Sequence, residues 1–411
     1  MAAQVETWCD RDEHNLFELF VDFNEWLESG EGIELRQENN IDELAQPSKA
    51  LFAGDKEAYD QAFEGYRTSR RNEALNKEYL CEQFTDDHWF QRNLDHFDQL
   101  IQYLKKGVVV PFLGAGLSVA GGFPSWKDHL RQQGRTAGID KIHIEDLLGN
   151  GQYETVIEEI ENIRGRDVLT QEIRDVFSRA GNITNTTLLL TELFSDTVIT
   201  TNYDRLIEQA FDTGQENAFQ VINGLNALEK PESDRVTIIK LHGDIKNPTR
   251  CILSKNQYDA AYGGDQLDMT LPIPKLLSYY YKNSSLLFLG CSLNNDRTIQ
   301  VFRAAKVAIG DAATQQHFSI EQAPEDGQEI VARNAHLANL GITAIWFEKG
   351  SFDYVDSILR LAKNELRYMG AMPGAKKEPI VDEPMIISKR HGLFGKILKR
   401  ILKQSVTVPI N

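Results

Sequence analysis

The sequence contains few cysteines, and none has the spacing of a metal-binding or redox pair. The four cysteines among its 411 residues are Cys9, Cys81, Cys251 and Cys291, and no two of them form a CxxC motif. This excludes a four-cysteine zinc ribbon, a thioredoxin-type redox motif and a disulfide-dense secreted scaffold, all of which need closely spaced cysteines. We therefore expect no metal site and a reducing compartment, the cytoplasm.

Positive charge and long apolar segments are also scarce. The chain has 44 Lys and Arg against 61 Asp and Glu, so its net charge is −17, and we expect no direct binding to nucleic acid, which needs a basic surface. The longest run of low polarity is 107–124, but its five glycines and two prolines favour a strand and a glycine-rich loop over a transmembrane segment. The amino-terminal residues lack the basic start and apolar core of a signal peptide, so we expect none.

The two ends of the chain differ from its middle. Apolar residues recur at helical spacing in 16–27 and 89–104, which predicts a helical domain over 1–100 that serves packing or oligomerisation. Residues 371–411 are predicted to be a linker and a basic amphipathic tail, because no acidic residue follows Glu383 and six cations alternate with apolar residues. A solvated helix, a membrane-surface helix and a helix that docks onto an acidic partner all fit that composition.

The middle of the chain, 101–370, alternates short β-branched runs with helical stretches. This alternation is typical of an α/β fold, a Rossmann-like parallel sheet with helices on its faces. A segment over 136–192 lacks clear strands and predicts a helical insertion after the first strand and helix, and 352–368 predicts a closing helix. The predicted strands are 108–113, 197–200, 236–241, 286–289, 317–320 and 342–347.

Small and polar residues follow four of these strands, and ligands of open parallel sheets bind at the carboxyl ends of the strands. After the first strand, Gly114 and Gly116 allow a tight turn and close approach of a pyrophosphate to the backbone. Ser118 adds a hydroxyl donor at the start of a helix. Because Val119 replaces the third glycine of the usual GxGxxG motif, an ordinary turn between strand and helix explains this loop about equally well.

Two further strand ends carry candidate catalytic side chains. The amide of Asn202 suits a sugar hydroxyl or a water, and the carboxylate of Asp204 suits a ligand amide, although Asp204 also suits a helix cap. His242 directly follows a strand and precedes Gly243, which leaves room for a ligand. The ordinary pKa of histidine lies near neutrality and suits a general base, whereas a lone histidine is more often structural.

The strings GAGLS, GGFPSW, TTNYD, LHGD and GCSL, in this order, resemble the NAD-binding core of the sirtuins over roughly 106–349. The resemblance implies that Asn202 holds the nicotinamide ribose or the attacking water, that Asp204 faces the nicotinamide carboxamide and that His242 is the catalytic base. It also implies that Ala115, Gly116 and Ser118 contact the NAD phosphates and that Gly290 and Ser292 line the adenosine side. The remaining residues that we assign to NAD binding are Gly114, Phe123, Pro124, Trp126 and Thr201.

The chain departs from sirtuin deacylases in three places. It lacks the two CxxC pairs of their zinc module, Pro124-Ser125-Trp126-Lys127 replaces PDFR, and Thr201 replaces the glutamine of QNID. These departures resemble the sirtuin-like NAD hydrolases of bacterial antiphage defence, which implies an NAD+ glycohydrolase that needs no metal and depletes NAD. The layout and length resemble the sirtuin-like half of two-component systems with a hexameric HerA-type ATPase, which implies a homo-oligomer and that partner.

Two alternatives stay open from the sequence. One is an NAD-dependent protein-lysine deacylase, which the missing zinc module disfavours. The other is a non-catalytic sensor of NAD or ADP-ribose, because a sequence shows which residues are present and not how they are arranged.

Overall fold

The computed structural model describes residues 11–212, 214, 218–226, 235–310 and 315–373. Contacts divide these residues into a smaller compact unit, formed by 11–73 with 364–373, and a larger one, 74–363. Most of the predicted linker and tail, 374–411, lies outside the described residues. The division into domains at residues 100 and 370 stays a prediction.

Over residues 11–108, helices make up all the regular structure apart from a short 3-10 turn, and helices also cover the predicted insertion. Both predictions of helical structure are therefore confirmed for the described residues, as is the closing helix. The α-helices are α1 Arg11–Glu18, α2 Val21–Glu28, α3 Ile33–Glu38, α4 Pro47–Gly54, α5 Lys56–Ala74, α6 Lys77–Phe84, α7 His88–Lys105, α8 Ala115–Ala120, α9 Trp126–Thr136, α10 Lys141–Gly149, α11 Tyr153–Arg164, α12 Arg166–Phe177, α13 Asn185–Leu193, α14 Leu206–Phe211, α15 Lys255–Tyr262, α16 Pro272–Asn283, α17 Arg297–Ile309, α18 Gly327–Asn339 and α19 Asp353–Tyr368.

The smaller unit has an aromatic core. Phe23 is fully buried, and its ring lies 5.0 Å from that of Tyr59 in an edge-on contact. Edge-on aromatic pairs contribute about 0.5–1.5 kcal/mol beyond the area they bury. Arg67 adds a bidentate ion pair with the buried carboxylate of Glu365, at 2.9 and 2.7 Å. The apolar residues that recur at helical spacing in the sequence therefore form an aromatic core, and an ion pair lies in the same unit.

The larger unit is built on a seven-stranded parallel sheet. The strands are β1 Val109–Leu113, β2 Thr197–Thr200, β3 Phe219–Asn223, β4 Val236–Lys240, β5 Ser285–Leu289, β6 His317–Gln322 and β7 Ile342–Phe347. Their order across the sheet is β3-β4-β2-β1-β5-β6-β7. The central strands β1, β2 and β5 are almost completely buried, as expected where helices cover both faces of a parallel sheet. The predicted α/β, Rossmann-like fold is therefore confirmed.

All six predicted strands are present, and the sequence analysis missed β3. This strand pairs only with β4 and is partly exposed along most of its length, because it lies at an edge of the sheet. An edge strand needs no continuous apolar run, so its sequence, FQVIN, gives a weak signal.

The register of the sheet brings the strand ends level with one another. Leu113 pairs with Thr200 on one side and with Leu289 on the other, and Thr200 pairs with Lys240. The residues that follow these four positions therefore leave the sheet at one edge. Because the chain crosses from one half of the sheet to the other around β1, this edge is the switch point at which α/β proteins bind ligands.

An apolar cluster supports this edge from the side of the helical insertion. It joins Phe177 of α12 to Tyr203 and to Ile245 and Cys251, which follow β4. The ring of Tyr203 lies 5.3 Å from that of Trp126, and its hydroxyl donates to the carbonyl of Ile252 at 2.7 Å. The loops that carry the candidate site therefore rest on packed side chains.

Within the part of the chain that the structure describes, no helix combines the length and apolar character needed to cross a bilayer.

Candidate active site

A cavity of about 1180 Å³ opens at the carboxyl edge of the sheet, between the loops that follow its strands. All but one of the residues predicted to bind NAD or act in catalysis line it. The exception is Phe123, which is buried in the apolar cluster with its ring 6.1 Å from that of Phe177. The lining residues from the prediction are Gly114, Ala115, Gly116, Ser118, Pro124, Trp126, Thr201, Asn202, Asp204, His242, Gly290 and Ser292.

Glycines hold the loops after β1 and β5 in direct backbone contact. The amide of Gly116 donates to the carbonyl of Gly290 at 2.9 Å, and Gly290 has a φ of +65°, which favours glycine. A Cβ added at Gly114 would lie 2.5 Å from the carbonyl oxygen of Gly290. Side chains at these positions would force the two loops apart, so the glycine-rich motif sets the floor of the cavity.

Asn202, Ser118 and Asp204 form a hydrogen-bonded chain across the site. The side-chain nitrogen of Asn202 donates to the carbonyl of Gly114 and to the hydroxyl of Ser118, both at 2.9 Å. The Ser118 hydroxyl in turn donates to the carboxylate of Asp204 at 2.6 Å. Within the described residues, Oδ1 of Asn202 accepts no hydrogen bond. The hydrogen bonds of Asn202 with Gly114 and Ser118 therefore fix the orientation of this amide, and its acceptor oxygen is available to a ligand.

The position of Asp204 bears on both roles considered for it. Its Oδ1 accepts from the backbone amide of Leu206, at the start of α14, and its Oδ2 accepts from Ser118. The carboxylate therefore supports the start of the helix and also lines the cavity. The hydroxyl proton of Ser118, which the sequence analysis assigned to a phosphate, is donated inside the protein.

His242 lines the cavity beside two tyrosines of α15. Its Nε2 lies 2.8 Å from the hydroxyl of Tyr262, and its Nδ1 lies 3.4 Å from that of Tyr258. Burial disfavours the charged imidazolium and lowers the pKa of His242 to about 4. The imidazole is therefore neutral at pH 7. Gly243, with a φ of +102°, lets the chain turn directly after it.

The sequence analysis missed both tyrosines. They are four residues apart and so share one face of α15, but nothing in this spacing pairs them with a histidine that precedes them by 16 and 20 residues. Only the packing of α15 against the end of β4 brings the rings together.

Arg297 was missed as well. It begins α17 and makes a bidentate ion pair with Glu154 of α11, at 2.9 and 2.8 Å. It also donates to Asp259 of α15 and to the carbonyl of Gly263, both at 2.5 Å. This guanidinium ties the helical insertion and the tyrosine-bearing helix to the wall of the cavity.

A second arginine, Arg333, joins separate segments at the opposite end of the cavity. Arg333 of α18 pairs with Glu321 at 2.9 and 3.1 Å and donates to the carbonyl of Ser292 at 2.8 Å. Burial raises the pKa of Glu321, and the neighbouring guanidinium opposes this shift. Arg333 therefore links α18 to the end of β6 and to the loop after β5, where the sequence analysis placed the adenosine side.

The described part of the chain contains no group of three or more His, Cys, Asp or Glu side chains arranged to hold a metal ion. The cavity instead presents an amide acceptor, a neutral imidazole, tyrosine and serine hydroxyls and two ion pairs. These groups suit a ligand with sugar hydroxyls and amides.

Comparison with known proteins gives two findings. The SIR2-like domain matches residues 196–345, which include Asn202, Asp204, His242 and Gly290. Proteins named NAD(+) hydrolase ThsA are similar to the chain over part of its length. The one from Cytobacillus dafuensis is 32% identical over 200 residues, or 48% of this chain and 38% of its own. The one from Acinetobacter baumannii (strain 532279) is 27% identical over 223 residues, or 54% and 44%. The one from Bacillus cereus (strain MSX-D12) is 34% identical over 187 residues, or 45% and 37%.

The chain therefore spans less than half the length of these curated relatives. The predicted resemblance to the sirtuin NAD-binding core, over roughly 106–349, is confirmed by the SIR2-like match over 196–345.

Proposed function

We propose that the protein is an NAD+ glycohydrolase that releases nicotinamide and ADP-ribose. The observation that carries this proposal is the meeting of the Asn202–Ser118–Asp204 chain and neutral His242 in one cavity over a glycine-lined floor. The similarity of this region to a SIR2-like domain and to proteins named NAD hydrolases supports the same substrate.

The reaction breaks the bond between C1′ of the ribose and the pyridine nitrogen of NAD+. The bonding electron pair leaves with nicotinamide, which becomes neutral, and the ribose passes through an oxocarbenium-like transition state. The oxygen of water then bonds to C1′, and one proton of that water is released. The products are nicotinamide, ADP-ribose and a proton.

Each part of the site has a role in this reaction. Oδ1 of Asn202 accepts a hydrogen bond from the attacking water or from a ribose hydroxyl. The side-chain nitrogen of Asn202 is not available to them, because it already donates to Gly114 and Ser118. The neutral imidazole of His242 takes a proton from a ribose hydroxyl or, through it, from that water. The backbone of Gly114 and Gly116 leaves room for the pyrophosphate, and Gly290 and Ser292 lie at the adenosine end.

The biological role that follows is depletion of NAD in the cytoplasm as the effector of an antiphage system, with NAD as substrate and no metal cofactor. The sequence resemblance further supports a homo-oligomer and a HerA-type ATPase partner. Size-exclusion chromatography with light scattering, on the chain alone and co-expressed with such an ATPase, tests both. Deletion of 388–411, which lie outside the described residues, tests whether the tail takes part.

The decisive experiment incubates the purified protein with NAD+ and follows nicotinamide and ADP-ribose by chromatography, with and without an acetyl-lysine peptide. Release without peptide is the expected result. Strict dependence on the peptide, with an acylated ADP-ribose as product, would make the protein a deacylase. Saturable binding of NAD without turnover, also in the presence of the ATPase, would make it a sensor.

A further inference from the structure

A fully buried lysine lies directly behind the candidate catalytic loop. The ammonium of Lys240 donates to the backbone carbonyl of Tyr203 at 3.1 Å and to that of Asp204 at 2.5 Å. Tyr203 and Asp204 follow Asn202, so the amine grips the stretch of backbone that presents the amide and the carboxylate to the cavity. Neither the sequence resemblance nor the proposed chemistry assigns a role to Lys240.

The hydrogen bonds of this ammonium are complete. Its third donor goes to the buried carboxylate of Glu208, at 2.9 Å, and Asp244 lies 3.5 Å away. An ammonium has three N–H donors, so all of them are used, two of them on the loop. Burial raises the pKa of Glu208, and the adjacent Lys240 opposes this shift. The second oxygen of Glu208 is buried without a hydrogen bond among the described residues.

The sheet explains why this position controls the geometry of the site. Lys240 is the last residue of β4, pairs with Thr200 at the end of β2 and precedes His242 by two residues. One side chain therefore ties the strand that carries the histidine to the loop that carries the amide. A buried ion pair is often no more stabilising than apolar residues of the same volume, so stability alone does not account for it.

We propose that Lys240 is a positioning residue, which sets the distance between the Asn202–Asp204 loop and His242 by holding the carbonyls of Tyr203 and Asp204. The proposal rests on the proposed function, since it assigns these groups to one reaction. The β1 loop, predicted to contact the phosphates, and the β5 loop, predicted to line the adenosine side, are held by backbone contacts with each other. Loss of Lys240 is therefore expected to affect kcat more than KM.

The test separates positioning from stability. Lys240→Met alone leaves the buried carboxylate of Glu208 without the ammonium that donates to it, so it is expected to lower stability as well as activity. The double variant Lys240→Met with Glu208→Met removes both charges and keeps the volume, and it is expected to regain most of the thermal stability. Lys246→Met is the matched control, because this lysine is exposed and lies six residues further along the chain.

For the double variant we expect kcat for NAD to fall about 10- to 100-fold, the size of effect that misplaced catalytic groups have, with KM changed less than about threefold. We also expect faster hydrogen exchange in a peptide covering 200–206 and wild-type exchange in the β1 loop. A double variant with wild-type kcat and wild-type exchange at 200–206 would overturn the proposal.

Two further comparisons keep the test decisive. If the double variant does not fold, Glu208→Gln takes its place, because it leaves the amine and both carbonyl bonds. We expect Glu208→Gln to have a kcat near that of the wild type. If a folded Glu208→Gln variant lost as much kcat as His242→Ala, the effect would belong to the charge pair, and the proposal would be overturned. If the wild-type protein releases no nicotinamide under any condition, the proposed function fails, while the exchange at 200–206 still decides whether Lys240 holds the loop.

Discussion

The hydroxyl of Ser118 donates a 2.6 Å hydrogen bond to the carboxylate of Asp204, 86 residues further along the chain. The same hydroxyl accepts from the amide of Asn202. A residue that the sequence placed on the phosphate loop therefore sets the orientation of two residues on the neighbouring loop. This link makes the site a connected unit, and its parts are open to separate tests.

Replacing Ser118 by alanine is expected to loosen that unit. The amide of Asn202 keeps its bond to Gly114 but loses the second one, and Asp204 loses a donor. An unpaired buried polar group costs about 1–3 kcal/mol. A similar loss in the transition state corresponds to roughly a 10- to 100-fold lower kcat. Steady-state release of nicotinamide measures it, and the exposed neighbour, changed as Val119→Ala, is the control. Equal rates for the two variants would remove Ser118 from the orienting chain.

Asn202→Ala and His242→Ala are each expected to abolish measurable loss of NAD while the protein stays folded. The first removes the amide oxygen that Ser118 and Gly114 orient for a ligand, and the second removes a base worth roughly 10²–10⁴-fold in rate. Circular dichroism and thermal unfolding check the fold, and NAD consumption checks the rate. A folded variant that consumes NAD at the wild-type rate would show that its residue has no part in the reaction.

Because His242 is buried, we expect kcat to fall on the acidic side of its pH profile (the acidic limb) at an unusually low pH. Its pKa in the folded protein is about 4, below the ordinary value of 6.5. The imidazole therefore stays neutral as the pH falls from 7 to 5, and we expect kcat to decrease only as the pH approaches 4. Short assays at saturating NAD, with the fold monitored at each pH, measure the limb. A limb near pH 6.5 in a folded protein would mean that the acting base is exposed, which contradicts this environment.

Gly290→Ala is expected to disrupt the cavity floor. Its φ of +65° is strained for alanine, and the added Cβ would lie 2.6 Å from the backbone nitrogen of Leu117. We expect the free energy of unfolding to fall by about 1–3 kcal/mol. We also expect a loss of NAD binding, because the β1 and β5 loops must separate. Gly327→Ala is the matched control, since nothing lies within 4 Å of its added Cβ. Chemical unfolding and calorimetric titration with NAD compare the two, and equal results would show that the floor tolerates a side chain.

The sequence by itself determined the type of fold and the edge at which the site lies. Short β-branched runs form buried strands because of local composition, and a parallel sheet with crossover helices aligns their carboxyl ends, so Gly114, Asn202, His242 and Gly290 had to meet there. Sequence patterns were weak only where burial was partial, as in β3 at the edge of the sheet.

The tertiary structure alone decided what each group touches. The contacts of the two tyrosines with His242, of Arg297 with Glu154 and of Lys240 with the Asn202 loop join residues 16 to 143 positions apart. Periodicity and composition describe neighbours along one element, whereas these contacts depend on how separate elements pack. The same packing buries most of the His242 side chain and so lowers its pKa, a property of the surroundings that no local pattern of residues contains.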